Sequence, residues 1–304
     1  MITGAGCLTS PRCRAATTKR VWQAWAVLKL AGARLLQGRD VDNVRTLLET
    51  DPVAACMVLS RIEAARVNPT YLGGELWGYG DGPEGVCYSG PNLIPLRGGR
   101  DAMRAFADRA RRRGRVSSSL VGPAEQVMSL WEELAAHWGP AREVRAEQPL
   151  LVLTEVPERW PDPAVRRVRS CELDHYLPAA VAMFREEVGV DPLGGTGAGN
   201  YRARIADLIA GGRAFARFED GRVVFKAEIG ALSSTVGQIQ GVWVHPRWRG
   251  NGLGAAGTAA VADHLVRHMG RVASLYVNDY NTPARRAYER IGFRRGGTFS
   301  TVLL

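Results

Sequence analysis

The sequence predicts an α+β protein with a mixed sheet, written twice along one chain of 304 residues. Three observations predict it. Short apolar runs rich in β-branched and aromatic residues alternate with longer runs of helical period. Glycine, proline and aspartate cluster between them as turn signals. The order of these elements is nearly the same in the two halves of the chain, which reads as an internal duplication of fold without a residue-level repeat.

In the first half, "ARLLQ" from Ala33 predicts a strand, and "VDNVRTLLET" and "PVAACMVLSRIEAA" predict helices. "GELWGYG", "GVCYSG" and "NLIPL" are short strands parted by turn residues. "GRDAMRAFADRARRRG" is a helix, "VSSSLV" a strand, "PAEQVMSLWEELAAHWG" a helix and "QPLLVL" a strand. "ARRRGR" (110–115) reads as the solvated end of its helix, where cations meet the negative end of the dipole.

The second half opens with "VRRVRS" (165–170) as a strand, then helices at 172–189 and 199–212, the second closed by glycines. Residues 213–232 form a hairpin turned at Asp220-Gly221. Strand 237–246, helix 252–269, strand 271–279, helix 282–292 and a strand pair at 293–304 complete it. Three prolines at 157, 161 and 163 mark a linker between the halves. The expected organisation is a basic tail (1–32), an accessory domain (33–153), the Pro-rich linker (154–164) and a second domain (165–304).

Composition narrows the function classes. The net charge is +10, but seven basic residues and no acidic one stand in residues 1–39, so the folded body carries only +3. A nucleic-acid surface is therefore not expected. Only Lys19, Lys29 and Lys226 are lysines, the arginine bias expected of a GC-rich genome. Cys7, Cys13, Cys56, Cys87 and Cys171 include no C-x-x-C pair, which argues against a disulfide or zinc framework and for a reducing cytoplasm. No apolar run is long enough to span a membrane. "VWQAWAVLKLAGA" after Lys19-Arg20 loosely resembles a signal peptide, but Gln23 and Lys29 interrupt it; a disordered or weakly helical extension is the expectation. His264 and His268 have i, i+4 spacing without the glutamate of a zinc helix, so no metal is expected.

The stretch "VWVHPRWRGNGLGAAGTAAVADHL" (242–265) carries the chemistry. Glycines 250, 252 and 254 between a strand and a helix permit positive φ and close approach of a ligand to the backbone. The amides of Arg249, Gly250, Asn251, Gly252, Leu253, Gly254 and Ala255 can then point into one concavity at a helix N-terminus, which is an anion site. No Gly-Lys-Ser/Thr follows, so it is not a Walker loop, and its G-x-G-x-G spacing is not the dinucleotide fingerprint.

"VHPRWRGNGLG" resembles the acyl-CoA pyrophosphate loop of the GNAT N-acetyltransferase superfamily, and "NDYNTPARRAYERIGF" (278–293) resembles the second half of that family's signature. The resemblance covers residues 165–304, and the whole chain is similar to two-domain actinobacterial GNAT proteins whose N-terminal region has no assigned function. It implies a GNAT fold preceded by a degenerate GNAT-like domain, a tandem arrangement. It also implies acetyl-CoA as acyl donor, held at 249–255, with its pantetheine arm beside Val242, Trp243 and Val244 where two strands splay apart. Asn281 would hold the cofactor arm, although it could equally cap a helix. Tyr288 would protonate the departing thiolate and also contact the cofactor.

The proton acceptor is less defined. Relatives carry a glutamate on the strand before the loop, where this chain has Gln238 and Gln240. Glu228 on the neighbouring strand is the nearest substitute, with an ion pair to Lys226 as the competing reading. His245 could relay a proton or simply be hydrogen-bonded. Asp191 and Tyr201 could touch the acceptor from the glycine-rich segment 189–200. "RGGRD" replaces the R-x-x-G-x-G pattern in the first half, so residues 33–153 are not expected to bind acetyl-CoA.

The expected activity is acetyl transfer from acetyl-CoA to a primary amine, of a small molecule or a protein, by direct attack in a ternary complex. The alternative is a non-catalytic acyl-CoA-binding regulator with an N-terminal interaction domain. A tRNA-dependent aminoacyl transferase of the tandem type is disfavoured by the complete CoA loop. No nucleic-acid or membrane partner is expected, and the oligomeric state stays open between monomer and homodimer.

Overall fold

The computed structural model describes residues 32–67, 69–80, 84–157, 161–194 and 198–304. The basic tail, with the signal-like stretch, Cys7 and Cys13, lies outside the described residues apart from Gly32, as do parts of the linker and of the segment 189–200.

The first half runs β1 (Arg34–Leu35), α1 (Val41–Leu48), α2 (Pro52–Val67), β2 (Glu75–Tyr79), β3 (Gly85–Ser89), β4 (Asn92–Arg97), α3 (Arg100–Arg113), β5 (Ser119–Pro123), α4 (Ala124–Trp138) and β6 (Glu143–Leu153). The second half runs β7 (Arg166–Arg167), α5 (Leu173–Val188), α6 (Ala198–Ala210), β8 (Ala214–Glu219), β9 (Arg222–Leu232), β10 (Val236–Val244), α7 (Leu253–Asp263), β11 (Val272–Tyr276), α8 (Thr282–Ile291) and β12 (Arg294–Leu303). The duplication is real, element for element. The β8–β9 turn takes positive φ at Asp220 (48°) and Gly221 (74°), as the Asp-Gly signal requires.

Two details differ from expectation. The final strand pair is one strand, β12, because its glycines at 296 and 297 form a bulge against β6 rather than a turn. The last strand of each half also leaves its own half. The sheet order is β1-β2-β3-β4-β5-β12-β6-β11-β10-β9-β8-β7. β12 pairs antiparallel with β5 of the first half, β6 pairs antiparallel with β11 of the second, and the two exchanged strands pair with each other in the middle. The order is a palindrome about that central pair.

Helices cover both faces. α1 and α2 pack on one face of the first half and α5 and α6 on the same face of the second; α3, α4, α7 and α8 cover the other. Residues paired across neighbouring strands point to one side, which fixes this assignment. Phe299 lies under α1 and α2, its partner Gln148 shares its side, and Arg145 on the same strand meets α5. α2 reaches over the boundary: its Cys56 packs with Ala231 and Val236, and the thiol donates to the Val236 carbonyl at 3.4 Å. The linker docks on the second half, where buried Asp162 meets Arg217 at 3.0 Å.

Candidate active site

The site begins where β10 and β11 part. They pair in parallel at Val236↔Val272, Gly237↔Ala273 and Gln238↔Ser274, and no pair follows. Beyond Gln240, β10 bulges: Gln240 faces Glu228 and Trp243 faces Lys226, three steps on one strand against two on the other. Gly241 turns this bulge at φ +58°. Backbone groups of Val242 through Val244 on the β11 side therefore lack a strand partner. An extended amide-bearing chain in the gap would find them.

A short turn, Pro246–Trp248, leads into the glycine loop. Gly250 (φ +82°) and Gly252 (φ +78°) hold left-handed conformations, and nothing stands within 4 Å of where their Cβ atoms would be. Among the described residues the N–H groups of Gly250 through Ala255 have no backbone acceptor, while Ala256 already closes α7 onto Gly252. Six consecutive open amides at a helix start make a cradle for a pyrophosphate. Arg249 contributes differently from its neighbours: its amide is turned to Pro246, and its guanidinium bonds to the Val244 carbonyl at 3.0 Å and to Glu186 at 2.6 Å. Glu186 also accepts from the Trp243 indole at 3.0 Å, so one carboxylate ties α5 to both the strand and the loop.

Asn281 caps α8, its carboxamide oxygen accepting from Ala284 at 3.2 Å. The capping alternative is therefore realised, and the amide nitrogen has no partner among the described residues. Tyr288, on α8, is 7% exposed and meets Phe293 edge-on. Burial pushes its hydroxyl well above the ordinary phenol range, and the negative charge of Glu187 adds to this. Such a phenol stays protonated and available to donate.

Glu228 is held more tightly than its sequence position suggests. It is 2% exposed, 2.6 Å from the ammonium of fully buried Lys226, and it accepts from the Tyr176 hydroxyl at 3.2 Å. Burial raises its carboxyl, but Lys226 overrides this and holds it below the usual range. A carboxylate so paired is a poor proton acceptor. Glu187, one turn-end away on α5, was not singled out by sequence. Its side chain is exposed, and lost hydration against the neighbouring protein raises its carboxyl above the usual range.

Other expected contacts are engaged elsewhere. The His245 ring accepts from Arg247 at 3.3 Å. Tyr201 donates to the Ala180 carbonyl at 2.9 Å, and Asp191 pairs with Arg185. Among the described residues no three His, Cys, Asp or Glu side chains converge as metal ligands. In the 110–115 run, Arg111 pairs with Asp108 and Arg113 with Glu75, so that helix end is not simply solvated.

The first half lacks the equivalent features. Its parallel strands also stop pairing, after Asn92↔Ser119 and Leu93↔Leu120, but they stay close beyond that point: a Cβ on Gly122 of β5 would lie 3.1 Å from the Pro95 carbonyl of β4, which narrows any slot there. Counted from the helix cap, buried Leu130 of α4 stands where α8 has Tyr288. A concavity of about 290 Å³ persists at the loop position, but it is lined by Glu125 and by Glu132, whose charge is met by Arg100 at 3.7 Å, so it offers no unpaired cation to a pyrophosphate.

Comparison with known families decides the assignment: residues 155–293 match the Acetyltransferase (GNAT) family, and residues 74–176 match DUF4081, a domain of unknown function. Residues 155–293 form a GNAT acetyltransferase domain. A segment matching DUF4081 precedes it. A mycothiol acetyltransferase of Acidimicrobium ferrooxidans is 38% identical over 79 residues, 25% of this chain and 26% of the relative, so the match spans about a quarter of that protein. Among solved structures, a tandem GNAT protein from the clavulanic acid biosynthesis pathway aligns with 89% of this chain and 98% of its own at TM-score 0.53 and 16% identity. A GNAT-family acetyltransferase from Colwellia psychrerythraea aligns with 90% of this chain and 99% of its own at TM-score 0.53 and 10% identity. These two likenesses establish the tandem GNAT fold.

Proposed function

We propose that the chain transfers an acetyl group from acetyl-CoA to a primary amine by direct attack within a ternary complex. The observation that carries this reading is the opening between β10 and β11, with the six open amides of Gly250–Ala255 at one end and Tyr288 beside it. The amides bind the pyrophosphate, and the unpaired backbone of Val242–Val244 binds the pantetheine arm as an added strand. Asn281 holds that arm through its free amide nitrogen. Tyr288 gives a proton to the sulfur as the C–S bond breaks. The first half binds no acetyl-CoA and instead walls the acceptor side of the cleft with α2 and β6.

The acceptor amine enters on the face covered by α2 and α5, where Gln238, Gln240, Tyr276 and Gln148 line the central strands. The name of the Acidimicrobium relative places acceptors of the mycothiol type on the list to be tried. The test is release of free CoA against a panel of primary amines. The control is the Gly252→Asp/Gly254→Asp double variant, which strains a left-handed residue and puts negative charge in the cradle. Turnover lost in that control is the expected result. Tyr288→Phe should lower kcat by roughly 10- to 100-fold and leave acetyl-CoA affinity intact. Tight binding with no turnover on any amine would instead favour the regulatory reading.

A further inference from the structure

Three carboxylates stand on the elements that border the gap on the acceptor side, Glu186 and Glu187 at the end of α5 and Glu228 on β9. Glu186 is bound to Trp243 and Arg249. Glu228 is sealed against Lys226 and Tyr176, and the bulge covers it, since a Cβ on Gly241 would lie 3.0 Å from the Lys226 ammonium and 3.6 Å from the Glu228 carboxylate. Glu187 alone of the three is open to solvent with a carboxyl free of hydrogen bonds and ion pairs among the described residues.

What is fixed about Glu187 is its backbone. Arg145 of β6 donates to the Glu187 carbonyl at 2.6 Å. The Arg145 side chain is 7% exposed and is itself held by a two-pronged pair with Glu143, at 2.9 and 3.0 Å. A bulge in β6 between Arg145 and Gln148 turns this arginine toward α5. On the other side of the same helical turn, Glu186 is clamped to β10 and the glycine loop. The last turn of α5 is therefore pinned between the cofactor loop of its own half and a strand that belongs to the other.

We propose that Glu187 is the proton acceptor for the incoming amine and that Arg145, carried across on the exchanged strand, is the residue that positions it. The inference rests on the acetyl-transfer reading. An ammonium reaching the gap gives one proton to the Glu187 carboxylate, which passes it to water. The freed lone pair forms the N–C bond to the thioester carbonyl carbon, and the C–S electron pair leaves on sulfur. Sulfur takes its proton from Tyr288, and Tyr288 is reprotonated by the second proton lost from nitrogen. Three N–H hydrogens thus become one, with one proton released to water and one left on the thiol.

The groups that face Glu187 agree with this role. Arg145 of β6 and Lys226 of β9 favour its charge, Glu228 of β9 opposes it, and Tyr201, Tyr276 and Tyr288 all sense it. Its surroundings raise its carboxyl, whereas Lys226 lowers that of Glu228. A base must be deprotonated to act, so activity rises with pH through its pKa. With Glu187 that limb lies above the usual glutamate range; with Glu228 it would lie below.

The experiment is a pH profile of kcat and of kcat/KM on the full chain with the best amine of the panel. Glu187→Gln should lower kcat by roughly 100-fold or more and abolish the acid limb. Arg145→Met should lower kcat and shift the limb without changing the KM for acetyl-CoA, and Arg145→Lys should recover part of the rate. A Glu187→Gln protein with kcat within twofold of wild type and an unchanged limb overturns the proposal while leaving acetyl transfer standing. So does a limb that survives in Glu187→Gln and vanishes in a Lys226→Met/Glu228→Gln double variant. Wild-type protein with no turnover on any amine overturns both readings.

Discussion

Lys226→Met is the perturbation whose consequence the structure fixes best. The ammonium is fully buried, 2.6 Å from a carboxylate that is 2% exposed, and the Tyr176 ring lies 5.5 Å from it. Removing one partner leaves an uncompensated charge in the interior, at a cost of about 3–5 kcal/mol. In a chain of this size that is a fall in melting temperature of roughly 6–10 °C, at about 2 °C per kcal/mol. Adding Glu228→Gln removes the orphaned charge and keeps an acceptor for the Tyr176 hydroxyl. The double variant should return to within about 1–2 kcal/mol of wild type, so the coupling between the two changes is at least about 2 kcal/mol. The assay is urea unfolding followed by tryptophan fluorescence, with all variants at one pH near neutrality. Lys226→Met costing under about 1 kcal/mol, or two single costs that simply add, would refute the claim that the pair is sealed from water.

Three further outcomes are expected. Ser274 on β11 is fully buried with a hydroxyl that has no partner among the described residues, so Ser274→Ala should be neutral or stabilise by up to about 1 kcal/mol in the same unfolding assay; a loss above about 1 kcal/mol would mean the hydroxyl is bonded. Isothermal titration of the full chain should give one acetyl-CoA per chain, because Pro95 and Gly122 narrow the slot in the first half; a stoichiometry of two would refute that. Deleting residues 294–304 should strip hydrogen-exchange protection from β5 as well as from β6, since β12 pairs with both; protection retained in β5 would contradict the exchanged pairing.

Much of the fold was legible in the sequence. Asp220-Gly221 and the glycines of the 250–254 loop could be read because a required positive φ leaves few residue types to choose from. The duplicated order could be read because each element carries its own period. The partner of a strand carries no such mark. "QPLLVL" and residues 294–303 announce strands, but which strand lies beside them is settled by packing between distant segments. The site divides in the same way. The loop, Asn281 and Tyr288 sit in local patterns, whereas the choice between base and ion pair at Glu228 turned on burial by Tyr176 and Gly241. Glu187 carries no local mark near its helix end, and its backbone is held by Arg145 from the other half.

The exchanged strands also set a schedule for biosynthesis. During translation β5 emerges early, yet the neighbour that completes its side of the sheet, β12, ends at Leu303. Until β12 leaves the ribosome, roughly 10–35 s after β5 at about 5–20 residues per second, the first half carries an open strand edge. Nascent chains on one message stand close together, and a chain that has already released β12 can offer it to the open β5 edge of one that has not. A destabilised variant of this protein should therefore fail first by trading β6 or β12 between copies rather than by losing either core.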